Sequence, residues 1–300
     1  MSFEFMKKKL LVIGSGGQLG SDFLISARNA GYDVTGTDFP HINLADEKSV
    51  LKTVVSEAPD IIVNCAAFTA VDLCETEQKN AYALNAEGPK YLALSARETG
   101  ALLVHFSTDY VFSGDSSTPY TEMDPTEPKT VYGKSKLAGE KNISETWDKN
   151  LILRIAWLYG FYGKNFVKTM RSVASDKAAS GENLKVVSDQ FGSPTWTVDV
   201  CNQALKLIEL EQTGLFHCTS EGVCSWYDFA AEIIAEAKIP VCIKPCPTEE
   251  FPRPAPRPFF SVLENKKLKS LGANLMPHWL EGFRKYLETE AQLKEEKEKR

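Results

Sequence analysis

A short apolar run, residues 10–13, breaks without a linker into three glycines spaced three apart, Gly14, Gly17 and Gly20. That junction constrains the fold more than any other feature of the chain. Glycine reaches backbone dihedrals closed to other residues and lets a helix pack tightly against the strand before it, so the junction reads as a first strand turning sharply into a first helix. The pattern then repeats. Apolar runs at residues 33–37, 61–65, 102–106 and 151–156 read as further strands, and the longer amphipathic stretches between them read as helices. Such alternation is the βαβ rhythm of a parallel sheet covered on both faces, and it predicts an α/β fold, a Rossmann-like doubly wound parallel sheet.

After about residue 160 the rhythm weakens. Residues 185–187 and 215–217 look like isolated strands between helices and loops rich in Gly, Ser and Pro, which predicts a smaller C-terminal α/β lobe. The expected division is residues 1–160 for the doubly wound part and 161–300 for the lobe, with some segments of the second part returning to the core. Apolar residues at helical spacing place helices over 226–237 and 279–287. Pro252, Pro254, Pro256 and Pro258 make a stiff loop, and no two of them stand three apart as a PxxP ligand requires. Residues 292–300 are almost all charged, as in a solvated, fraying helix end.

Composition narrows the function. Hydrophobic residues make up 43% of 300, enough for a substantial core, and 34 Lys and Arg against 40 Asp and Glu leave a net charge of −6. That balance offers no footprint for nucleic acid, so an anionic ligand must find local cations. The basic residues near the start are followed by an apolar run too short for a signal peptide, and no stretch approaches the roughly 18 apolar residues of a membrane helix. The seven cysteines are scattered, and Cys242 and Cys246 have no neighbouring histidines. Reduced thiols, no metal site and a cytoplasmic setting are expected.

The glycine junction has a chemical use. A helix that starts there offers free N–H groups and a partial positive charge to a pyrophosphate, and Asp38 ends the next predicted strand where an acid accepts the ribose hydroxyls of a dinucleotide. The cofactor expected is NADH or NADPH. No Arg or Lys lies between Asp38 and Glu47 to hold a 2′-phosphate, which favours NADH locally. Residues 64–69 end the third strand with small residues, as where a backbone passes under a cofactor. Tyr132 and Lys136 stand four apart, so on a helix they share a face, and a neighbouring cation is expected to make the phenol a better proton relay. Lys134 falls on another face. Residues 107–110 follow the fourth strand, off the carboxyl end where ligands sit in such sheets, so Thr108 is expected to reach the reacting oxygen.

In this order the motifs resemble the extended short-chain dehydrogenase/reductase family, and longer strings narrow the resemblance to its dTDP-4-dehydrorhamnose reductase branch. The strings are residues 64–72 (Asn-Cys-Ala-Ala-Phe-Thr-Ala-Val-Asp), 107–112 (Ser-Thr-Asp-Tyr-Val-Phe), 131–140 (Val-Tyr-Gly-Lys-Ser-Lys-Leu-Ala-Gly-Glu), 163–166 (Gly-Lys-Asn-Phe) and 189–195 (Asp-Gln-Phe-Gly-Ser-Pro-Thr), with Arg257 and Pro258. The resemblance implies that Tyr132 is the proton donor, that Lys136 holds the nicotinamide ribose, and that Thr108 bonds the substrate carbonyl. It implies a cofactor cradle of Gly14, Ser15, Gly16, Gly17, Gln18 and Leu19, with Asp38, Phe39, Ala66, Ala67, Phe68 and Asn85. Contacts to a dTDP-deoxysugar would come from Asp109, Trp157, Asn165, Phe166 and Arg257. A histidine commonly stands in this branch where this chain has Phe68, which packs or stacks but donates no hydrogen bond. The resemblance leaves a homodimer open. It also leaves two rivals: a nucleotide-sugar 4,6-dehydratase or epimerase, and a non-catalytic regulatory subunit like the β subunit of methionine adenosyltransferase. The dehydratase is disfavoured because Tyr110 stands where its second acid would follow Thr108 and Asp109.

Overall fold

The computed structural model describes residues 7–298; most of the segment weighed as a signal peptide, residues 1–6, and the last two residues of the charged tail lie outside it. The first half runs β1 (Lys9–Ile13), α1 (Gln18–Asn29), β2 (Asp33–Thr37), α2 (Glu47–Glu57), β3 (Ile61–Asn64), α3 (Gly88–Thr99), β4 (Leu102–Thr108), α4 (Val131–Thr146) and β5 (Asn150–Ile155). Two short helices, Val71–Thr76 and Gln78–Tyr82, and a π-helical turn, Ala83–Glu87, lead into α3. The second half adds α5 (Phe166–Ser180), β6 (Leu184–Val187), α6 (Thr197–Glu209), β7 (Gly214–His217), α7 (Trp226–Glu236), β8 (Ile243–Cys246) and α8 (Trp279–Glu298).

Successive side chains of a strand point to opposite faces, and β1 is apolar on both. Leu10 and Val12 share one core with Phe23 and Ala27 of α1 and Val200 and Ala204 of α6. Leu11 and Ile13 share the other with Val50 of α2, Leu92 of α3 and Ile143 of α4. Each such side chain contributes about 1.5–3 kcal/mol on burial, which is why a continuous apolar strand demands two helical layers.

The sheet is parallel throughout, in the order β7–β5–β4–β3–β1–β2. From β1 the chain steps out to β2 and returns to the other side of β1 as β3, so a crevice opens beyond the carboxyl ends of β1 and β3. The register lines those ends up: Ile13 pairs with Asn64, and Thr108 at the end of β4 pairs with Ile155. Two expectations need correction. The strand expected to stand alone over 215–217 is β7, the sixth strand of the sheet, and that expected over 185–187 is β6, paired with β8. Both pairings join segments far apart in sequence, which local patterns do not encode.

The remaining helices enclose an aromatic core in which Tyr159 and Phe229 meet Trp279, Phe283 and Tyr286, one face of α8. α8 continues to Glu298, and residues 292–296 of the charged tail are exposed.

Candidate active site

Beyond β1 the chain turns at Gly14, whose φ of +76° is open to glycine and strained for other residues. A Cβ there would lie 2.7 Å from the backbone nitrogen of Ala66, in the loop after β3. Gly17 caps α1 with no side chain, so the first N–H groups of the helix are left for another acceptor. Gly14, Gly17, Gln18 and Leu19 line a cavity of about 950 Å³, and Asp38 lines it from the end of β2. Asp38 Oδ2 accepts from the Gly16 N–H at 3.1 Å and Oδ1 from the Phe39 N–H at 2.9 Å, which ties the turn to β2. Ser15 and Gly16 shape the turn without lining the cavity. Phe39 is 74% exposed and takes no part in the cavity wall, since the chain leaves the sheet edge at Asp38. An uncapped helix start, a turn that no Cβ could occupy and a carboxylate beside it fit the pyrophosphate and ribose of a dinucleotide.

β4 and α4 supply the opposite wall. Thr130 caps α4 by accepting from the Gly133 N–H at 3.0 Å, which starts the helix in the phase that brings Tyr132 and Lys136 to the cavity and leaves Lys134 exposed. Gly133 allows the approach, because a Cβ there would meet the Tyr110 carbonyl at 2.1 Å. Thr108 and Asp109 line the same cavity; Thr108 Oγ1 accepts from the Tyr110 N–H at 3.2 Å and donates to Asp109 Oδ1 at 2.9 Å. Tyr110 packs edge-on against Tyr132, ring centroids 5.5 Å apart.

The expected tuning of Tyr132 by Lys136 is corrected by the structure. Burial pushes the phenol above its ordinary value, opposed by a hydrogen bond with Thr108. Lys136 Nζ instead donates to the Phe106 carbonyl at 2.7 Å and lies 3.2 Å from His105 Nε2. Burial brings Lys136 down to about 8, and Glu140 acts against it. The same effect raises the Asp109 carboxyl to about 6.

Ala66 and Ala67 line the cavity, whereas Phe68 and Asn85 stand behind it. Asn85 is wholly buried; its amide accepts from the Phe68 N–H at 2.8 Å and donates to the Phe68 carbonyl and to Ser135 of α4. The Phe68 ring packs in the apolar cluster that includes Tyr132, so the residue that replaces the usual histidine supports α4 by contact. From the second half of the chain Trp157, Phe166 and Arg257 line the cavity. Trp157 adopts φ +49° and stacks on Trp226 at 3.4 Å. Arg257 pairs with Asp72 at 2.8 Å. Asn165 is not in the wall: it caps α5 and donates to the Gln18 side chain at 3.0 Å. Lys164 and Arg253, carried there by loops, and Trp226, the first residue of α7, also line the cavity and were missed. His105 was missed too, although a polar residue inside an apolar strand is itself a signal.

The family model described as RmlD substrate binding domain matches residues 7–292. The chain belongs to that family. The spore coat polysaccharide biosynthesis protein SpsK of Bacillus subtilis is a relative 44% identical to it, covering 93% of this chain and 97% of the relative. The dTDP-4-dehydrorhamnose reductase of Escherichia coli is 38% identical, covering 93% of this chain and 96% of its own length. Among solved structures, the dTDP-4-dehydrorhamnose reductase of Bacillus anthracis in complex with NADP superposes with a TM-score of 0.90 at 38% identity, covering 94% of this chain and 99% of that one. The RmlD match and these relatives bear out the resemblance drawn from the motif strings.

Proposed function

We propose that this protein reduces the C4 ketone of dTDP-4-dehydro-β-L-rhamnose with NADH or NADPH to give dTDP-L-rhamnose. The observation that carries the proposal is the convergence of the glycine turn, Thr108, Tyr132 and Lys136 on one cavity. The reductases among the relatives support the substrate. When bound, the nicotinamide supplies the hydride to the sugar carbon. The chain's own residues do the rest. The turn from Gly14 to Leu19 and the start of α1 receive the pyrophosphate, and Asp38 the adenosine ribose. Tyr132 and Thr108 bond the ketone oxygen, and Tyr132 gives it a proton as negative charge develops there. A phenol raised by burial keeps its proton at neutral pH, as a donor in a reduction must. Lys136, as the cation, stabilises the phenolate left behind.

Trp157, Phe166 and Arg257 are assigned to the sugar nucleotide, with Asp109 beside the sugar; Asn85 and Asn165 act one layer back, on the walls. In this reading residues 1–160 chiefly hold the cofactor and the later residues the substrate, with α6 and β7 returned to the core. The reaction belongs in the cytoplasm, where thiols stay reduced, and all seven cysteines are unpaired. Purified protein should oxidise NADH or NADPH only when the ketosugar is present. Tyr132→Phe should lower kcat by about 10² to 10⁴ while dinucleotide binding persists; a variant with full activity removes Tyr132 as the acid.

A further inference from the structure

β3 and β4 pair so that Asn64 stands opposite His105, and their side chains begin a buried chain that ends at Lys136. The Ala66 N–H donates to Asn64 Oδ1 at 3.1 Å, Asn64 Nδ2 lies 3.0 Å from His105 Nδ1, and His105 Nε2 lies 3.2 Å from Lys136 Nζ. Asn64, His105 and Lys136 are 1%, 0% and 2% exposed, so bulk water does not compete for these bonds. A backbone N–H only donates, which fixes Oδ1 toward Ala66 and turns the amide donor of Asn64 toward Nδ1. Nδ1 therefore accepts. Burial keeps the ring neutral, and a neutral imidazole that accepts at Nδ1 carries its proton on Nε2. That N–H faces Lys136 Nζ. An ammonium has donors only, so donor would meet donor, whereas a free amine has a lone pair to accept.

We propose that His105 is a positioning residue of this site: locked by Asn64 with its proton on Nε2, it holds Lys136 against β4 as the free amine, and Lys136 takes up a proton when the dinucleotide in the cavity draws it away from His105. The inference rests on the dinucleotide reading above. The proton comes from solvent and bonds to the lone pair that the Nε2–H releases; no other covalent bond changes. His105 of β4 and Glu140, one turn along α4, are the charged or titratable groups set against Lys136; Tyr132 flanks it one turn back, and Glu140 is itself held by Arg154 of β5. Burial of Lys136, which brings it to about 8, acts in the same direction.

The test is a calorimetric titration of the whole protein with NADPH and with NADH near pH 8.5, in buffers of different ionisation enthalpy, which counts protons taken up per dinucleotide. The wild type should take up more than about half a proton. His105→Phe keeps the ring's bulk without its N–H donor and should lower that uptake to less than about half the wild-type value, while His105→Gln, which again presents an N–H, should restore most of it. Lys136→Met should abolish it, which keeps the proposal decidable if His105→Phe does not fold. Binding without proton uptake in the wild type, or uptake that survives Lys136→Met or is unchanged in a folded His105→Phe, overturns the proposal. Failure to bind any dinucleotide overturns the functional reading and the proposal with it.

Discussion

Asp109 lines the cavity beside Thr108, 4% exposed, and burial raises its carboxyl from 3.8 to about 6. Between those values the folded protein binds more protons than the unfolded chain. The group's contribution to stability is therefore full below about pH 4 and is lost as pH climbs through about 6. Asp109→Asn has no charge to bury, so its Tm near pH 8 should match or exceed that of the wild type; a clearly lower Tm there would contradict the assignment. Asp38 bears on a second choice, between cofactors. Its carboxylate repels a 2′-phosphate, and Coulomb repulsion across about 4 Å of water is roughly 1 kcal/mol. Asp38→Ser should then shift the ratio of kcat/KM values toward NADPH by roughly fivefold. An unchanged ratio would mean that another group sets the preference.

The helix α4 carries Tyr132 and Lys136, and one ion pair holds it to the sheet. Arg154 of β5 donates through Nε and Nη2 to both Glu140 oxygens, at 2.9 and 2.7 Å, with both side chains almost wholly buried. Removing one partner strands a buried charge. Glu140→Ala should therefore lose about 3–5 kcal/mol in chemical denaturation, while the joint replacement Glu140→Leu with Arg154→Met should recover most of it. A loss below about 1 kcal/mol for the single variant would show that α4 is anchored mainly by its apolar face. Legibility in the sequence followed the same division between local and distant. The four-residue spacing of Tyr132 and Lys136 and the glycines after β1 are local signals, and the structure places them on one cavity. The partners of Lys136 Nζ are not local: it bonds β4, 31 and 30 residues back, so its turn away from the Tyr132 phenol was invisible in the four-residue spacing.

The cavity lies beyond the carboxyl edge of the sheet, and contacts across it join the first half of the chain to the second. Asn165 reaches Gln18 beside the glycine turn, and Arg257 reaches Asp72 beyond β3. The family resemblance pointed to Asn165, Asn85 and Phe39 as contacts, yet one caps a helix, one clamps a loop from within and one faces solvent, because a resemblance in sequence does not record the direction of a side chain. The account of the whole protein reduces to a hydride that leaves the nicotinamide and stays on the sugar. Incubating the protein with dTDP-4-dehydro-L-rhamnose and dinucleotide deuterated at the transferable position, then weighing the product and locating the label, decides this. The account predicts dTDP-L-rhamnose with one deuterium at C4 and one dinucleotide oxidised per sugar; turnover of the sugar with no net oxidation of the dinucleotide would contradict it.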